Sequence, residues 1–450
     1  MNKANAGRGA LPMTKLSFPL IVEQFFRILV ASIDTVMLSF YSEKAVAAVG
    51  MMTQYVFFIN ILFNVIAIGT SIVLSQFLGA QKSRDDLNAI AKSSAIMVTA
   101  AASVMTLAVI FGIKPLLGRY TLEAEVRQFA NDYFLIFGGA GSFFIAFGLL
   151  QSAILRSYGY TKEAMIVTLA SNLINVAGNA ISLYGFFGLP VFGVKGVAWS
   201  SVISMIASCV ILQIIIKRKK DISFELFCRC KIPGRFYKLI LSVGVPTASE
   251  SLSYNVSQIV IMAMISTLGT AAMSAQVYTA TICRFVFVTA IGIGSAVQIK
   301  TGWSVGAGQE EDIYKKVFKY GAVATSCSVI MILLINLFRM PIIGFFTKQE
   351  QIISYVSTLL LLSIYLEFGR SLNLIFIGAL KGSGDIKFPV FYGMFSNWVI
   401  MVLGSYLLGL KLDLGVAGFW LGIGTDETTR GIVMLLRWKS KRWMNKSLAA

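Results

Sequence analysis

Six carboxylates, Glu23, Asp34, Glu250, Glu367, Asp426 and Glu427, lie inside stretches that are otherwise apolar enough to cross a bilayer, together with four arginines, Arg27, Arg284, Arg370 and Arg430. An ionisable side chain at membrane depth costs at least about 2.5–3.5 kcal/mol if it faces lipid, and such groups mark ion or substrate pathways by default. These side chains must therefore face protein or a wet cavity. In the stretch 15–41, positions 23, 27 and 34 fall within about 40° of one another at 100° per residue, so Glu23, Arg27 and Asp34 form one polar stripe on an apolar helix. Asp34 lies about 28 Å along that helix from Lys15, nearer the outer side. Asn172, Asn175 and Asn179 recur at spacings of three and four on one helix face and are suited to hydrogen-bond a carboxylate that switches between a proton and a cation. Their plainer reading is glue between membrane helices.

The remaining charges come in local pairs. Glu23 and Arg27 are an i, i+4 pair with the acid first, which reads most simply as a buried ion pair. Glu367 and Arg370 stand at i, i+3, with Ser371 completing a polar face, and Asp426 and Arg430 stand at i, i+4 beside Glu427. Each is a structural salt bridge or a switch in which an arriving cation competes with the arginine. Arg284 has no local acid and could reach Glu250 or Glu367. Histidine is absent from the chain, so a proton relay must use carboxylates, tyrosine or water. No metal cluster is expected, Na⁺ at the coupling acids being the one possible ion; Gly382-Ser383-Gly384 is too short for a phosphate loop and there is no Walker motif.

The elements that must hold these groups are membrane helices. Of 450 residues, 56% are hydrophobic and 13% charged, whereas soluble domains carry about 25% charged residues. Hydropathy gives twelve spans at approximately 15–41, 46–78, 88–112, 127–155, 162–184, 194–217, 238–267, 271–302, 314–338, 351–380, 386–409 and 414–437. The first apolar run is too long for a signal-peptide core. The net charge of +18 does not point to nucleic acid, because the basic residues cluster in loops on one side. That bias places both termini in the cytoplasm, and the longest cytoplasmic link divides the chain into a lobe at 1–217, a linker at 218–237 and a lobe at 238–450. Cys228 and Cys230 fall in this link, where thiols stay reduced, and the five cysteines show no pairing pattern.

The two halves repeat. A shift of 227 residues superposes Pro19 on Pro246, Glu23 on Glu250, and Gly79-Ala80 on Gly306-Ala307. At 225, Leu155, Gly159, Lys162 and Ser171-Asn172 fall on Leu380, Gly384, Lys387 and Ser396-Asn397. An even number of spans per half predicts an all-α polytopic membrane protein of 12 transmembrane helices, built as two six-helix bundles related by a pseudo-twofold along the membrane normal. In the repeat, Arg27 becomes Tyr254 and Asp34 becomes Ile261, so Glu250 is expected to lack a local cation. A carboxylate without a partner at low dielectric tends to hold a proton, which makes Glu250 the expected proton carrier of the two glutamates.

The sequence resembles the multidrug and toxic compound extrusion (MATE) family in its bacterial NorM/DinF-like branch. The resemblance is carried by Asp34-Thr35-x-Met37 with Ala45 to Gly50, Gly79-Ala80-Gln81, Leu155-Arg156-x-x-Gly159, the asparagine series, Pro246 with Glu250, Gly306-Ala307-Gly308-Gln309 and Leu380-Lys381-x-x-Gly384-Asp385. It implies a pair of six-helix bundles exporting organic compounds in exchange for H⁺ or Na⁺. Asp34 stands where the family's first-lobe acid stands. Positions where some members carry further acids are here Asn179, Tyr254 and Arg370, so the coupling site does not transfer wholesale.

Together these readings predict a secondary antiporter of the bacterial inner membrane, monomeric, needing no cofactor. Asp34 in one lobe and Glu250 with Glu367 in the other would exchange H⁺ or Na⁺ for amphiphilic organic cations, which the abundant Phe, Tyr and Met side chains suit. Two rivals stay open: a lipid-linked saccharide flippase of similar bundle architecture, and a membrane-embedded transferase, for which Arg84-Asp85-Asp86 is the only candidate cluster.

Overall fold

Polar turns interrupt the apolar runs where helices must end. Ser83 accepts a hydrogen bond from the Asp86 backbone N–H at 3.1 Å, with Asp85 and Asp86 against the positive end of the helix dipole. Two later helices stop at Gly185 (φ +64°) and Gly384 (φ +93°), left-handed positions that favour glycine. A computed structural model describes residues 11–224 and 233–449; Cys228, Cys230 and the stretch around them lie outside the described residues.

Among the described residues the long elements are all helical: α1 Met13–Tyr41, α2 Glu43–Gly79, α3 Arg84–Leu117, α4 Ala124–Ala140, α5 Ser142–Ser157, α6 Thr161–Tyr184, α7 Gly193–Arg218, α8 Gly234–Ser266, α9 Thr270–Gly306, α10 Glu310–Leu337, the short α11 Arg339–Phe346, α12 Glu350–Ser383, α13 Lys387–Lys411 and α14 Gly415–Lys439. α4 and α5 meet at a 45° bend at Gly141, and together they are long and apolar enough for one passage. Nine of the described helices, or ten spans counting the bent pair, are long and apolar enough to cross a membrane by length and composition. The other long ones, α8 and α14, carry polar middles, Thr247 to Asn255 and Thr425 to Arg430, and these hold candidate site residues. The expected spans therefore stand as helices, with the α4–α5 bend and α11 added.

The chain forms two compact units, which it leaves and re-enters within α1, α2 and α8. The described residues of the first lie in Val22–Leu74 and Lys82–Ala248; the second takes those up to Ile21, Ser75–Gln81, and those from Ser249 onward.

In each unit, small residues bring the polar helices close. In the first, a Cβ on Gly178 of α6 would stand 2.7 Å from the Ser200 hydroxyl of α7. In the second, a Cβ on Gly369 of α12 would overlap Thr428 of α14, and one on Gly431 would stand 2.9 Å from the Gly369 carbonyl. Close backbone approach through small residues is how membrane helices associate without a hydrophobic drive. The second unit also anchors the C-terminal tail: Trp438 and Trp443 stack at 3.9 Å, fully buried, and Gln76 accepts from the Leu448 backbone N–H at 2.6 Å while donating to the Gly382 carbonyl at 2.8 Å.

Candidate functional site

Each unit holds its own polar centre. In the first, α1 supplies the acids and α6 the amides. Asn179 donates to Asp34 Oδ1 at 2.9 Å. Asn175, one turn earlier on the same face, donates to both Asp34 oxygens at 3.3 and 3.2 Å in the amide orientation that satisfies its neighbours, and accepts from the Ser201 hydroxyl of α7 at 3.0 Å. The Asn179 side-chain oxygen is buried with no hydrogen-bond partner. Asn172 does not join them; its buried amide nitrogen has no partner.

About three turns toward the start of α1, one oxygen of the buried Glu23 carboxylate accepts from Arg27 at 2.9 Å, Arg156 at 2.6 Å and Thr168 at 3.3 Å. Its other oxygen has none. Arg27 keeps 42% of its side chain exposed.

The second unit holds two linked groups. Glu250 of α8 is gripped by Lys381 of α12 and Arg430 of α14, each at 2.7 Å. Arg430 also donates to Asn397 at 3.0 Å and lies 3.7 Å from Asp426, whose carboxylate accepts from Ser396. Beside them, Arg370 bridges Glu367 at 2.6 Å and Glu427 at 3.4 Å, and Glu427 also accepts from Asn373 at 2.9 Å and Tyr254 at 3.5 Å. Four buried acids thus face three cations, and one oxygen of Glu367 has no partner. A surplus carboxylate in a low-dielectric interior calls for a proton or a cation.

The family profile MatE matches residues 19–181 and 246–407. The chain belongs to the MatE family. Its two matched segments begin 227 residues apart, the offset at which Pro19 falls on Pro246. The uncharacterized transporter YisQ of Bacillus subtilis is 35% identical over 440 residues, covering 96% of this chain and 95% of that protein. The probable multidrug resistance protein NorM of Thermotoga maritima is 25% identical, covering 97% and 93%. Among solved structures, a MATE protein in complex with MaL6 superposes with a TM-score of 0.88 at 21% identity, covering 95% of each chain. An outward-facing multidrug resistance MATE transporter of the MOP superfamily superposes at 0.87, also at 21% identity and 95% of each chain. This chain accordingly has the twelve-span, two-lobed helical fold of these structures and is a membrane transporter of the MatE family.

Two expectations for this MatE chain need correction. Glu250 does not lack a cation; it has two, because Lys381 and Arg430 arrive from α12 and α14, beyond the reach of a local i, i+4 reading. Arg284 is exposed and forms no ion pair with Glu250 or Glu367. The expected pair Asp426–Arg430 forms at 3.7 Å, and Arg430 makes a shorter one with Glu250 at 2.7 Å. The pairs Glu23–Arg27 and Glu367–Arg370 form as well. Sequence reasoning missed Arg156, Lys381, Asn373 and Asn397 as site residues. A signal was present for two of them: Arg156 and Lys381 are equivalent at the 225-residue offset.

Proposed function

We propose that this MatE chain is a secondary antiporter that exports amphiphilic organic compounds, with Asp34 as the acid that alternates between a coupling ion and the charged state. The observation that carries this is the pair of amides on Asp34. A negative Asp34 takes N–H bonds from Asn175 and Asn179. When Asp34 takes a proton or Na⁺, the oxygen ends of the amides become the useful ones. Asn175 can turn because Ser201 both donates and accepts, and Asn179 already holds a buried, unpartnered oxygen. The amides thus suit either state of the acid without leaving it.

Glu367, with its unpartnered oxygen, and Glu250 form a second charge network whose surplus acid would take a further coupling ion. The moving bodies would be the lobes 1–217 and 238–450, rocking about the 218–237 linker in the bacterial inner membrane with both termini cytoplasmic and the chain monomeric. The test is efflux from proteoliposomes under an imposed pH gradient and, separately, an imposed Na⁺ gradient. The reading expects uphill export under at least one; passive equilibration under both would refute it.

A further inference from the structure

The two glutamate centres are repeats of each other, yet their charges do not balance alike. In the second unit Glu250 meets Lys381 and Arg430, and Asp426 lies 3.7 Å from Arg430, giving two acids for two cations. In the first unit Glu23 meets Arg156 and Arg27, and among the described residues neither arginine has another carboxylate within ion-pair distance. Both Nη2 atoms bind the same Glu23 oxygen, at 2.9 and 2.6 Å, so two guanidinium groups crowd around one negative charge. The imbalance is one positive charge on spans that cross the bilayer, where an uncompensated cation is costly.

Two details locate it. Arg156 is the more enclosed guanidinium, and its Nε is buried with no hydrogen-bond partner. Arg27 keeps 42% of its side chain exposed and spends a single N–H on protein, so most of its five donors are free. Arginine presents these donors as a planar fork that fits carboxylate, sulfonate or phosphate oxygens. Arg27 also shares its helix face with Asp34, seven residues on, about 10 Å along the axis.

We propose that Arg27 is a specificity-determining residue that receives an anionic group of the transported compound, held in place by Glu23. This rests on the transporter reading and adds to it: the preferred cargo carries an anion as well as any cationic end.

The test compares purified wild-type protein with Arg27→Gln and Arg27→Lys, using two probes. One is an aromatic amphiphile bearing a tertiary amine and a carboxylate about 10 Å apart, and the other is its methyl ester. Wild type should bind and export the acid at least tenfold better than Arg27→Gln does, while the ester differs less than about twofold between them, and Arg27→Lys should recover part of the acid binding. Glu23 keeps Arg156 and Thr168 in these variants, so thermal unfolding should stay close to wild type. Equal loss of both probes in Arg27→Gln, or no loss of either, would overturn the proposal. If wild type binds the ester alone, the proposal falls and the transporter reading stands; if it binds and exports neither, both fall.

Discussion

Lys381 donates to Glu250 at 2.7 Å, and the same contact exists one half earlier, where Arg156 donates to Glu23 at 2.6 Å. The glutamates are equivalent at an offset of 227 residues and their cations at 225, so this ion pair belongs to the repeated unit itself. It ties the first helix of each half, α1 or α8, to the end of the passage that closes at α5 or α12. Being common to both halves, the pair reads as architecture, and function is better sought where the halves differ: Asp34, Arg27 and the acids of α14.

Breaking this repeated pair should therefore cost stability first. Lys381→Ala leaves the buried Glu250 and Asp426 to share Arg430 and is expected to destabilise by about 3–5 kcal/mol, whereas Arg156→Ala leaves Glu23 paired with Arg27 and should cost less. Glu250→Gln combined with Lys381→Met should cost distinctly less than Lys381→Ala alone, because no uncompensated charge remains. Thermal unfolding in lipid-containing detergent, run on the singles and the double, measures this; equal losses would mean that the pair is not the source.

The α12–α14 crossing carries Glu367, Arg370, Glu427 and Arg430, and it depends on Gly369. Gly369→Ala should destabilise by about 1–3 kcal/mol through overlap with Thr428. Gly404, with no neighbour within 4 Å of an added Cβ, is the control, and Gly404→Ala should be neutral or slightly stabilising. The same unfolding assay separates the two.

The tail is anchored by a buried side chain, Trp443. Trp443 is fully buried against Trp438, so Trp443→Ala should cost about 3–5 kcal/mol. Thermal unfolding of the purified variant checks it, and an unchanged midpoint would show that the stacked pair contributes nothing.

The asparagines of α6 divide into two kinds. Asn175 and Asn179 bond Asp34 and Asn172 does not, although all three share a face by spacing. Substituting Asn175 by Leu should lower transport about 10- to 100-fold, the worth of hydrogen bonds to a charged group. Asn172→Leu should be much milder. Initial efflux rates at matched membrane expression decide, and equal effects would return all three to a packing role.

Much of the fold was legible because its signals are local or periodic. Twelve apolar stretches, their turn residues and the 227-residue repeat can be read along the chain. The i, i+4 and i, i+3 pairs Glu23–Arg27 and Glu367–Arg370 were legible for the same reason. The partners of Glu250 were not, because they come from 131 and 180 residues away, and Arg156 and Lys381 look from sequence like ordinary positive-inside residues at helix ends. The α4–α5 bend was missed because Gly141 sits in a run of small and aromatic residues that reads as one continuous helix.

The most direct test of the central role given to Asp34 is ion-driven efflux in proteoliposomes by wild type and Asp34→Asn, each confirmed as folded and equally inserted. The account predicts uphill export by wild type under an imposed H⁺ or Na⁺ gradient and background rates for Asp34→Asn under both. Wild-type rates in Asp34→Asn would contradict it.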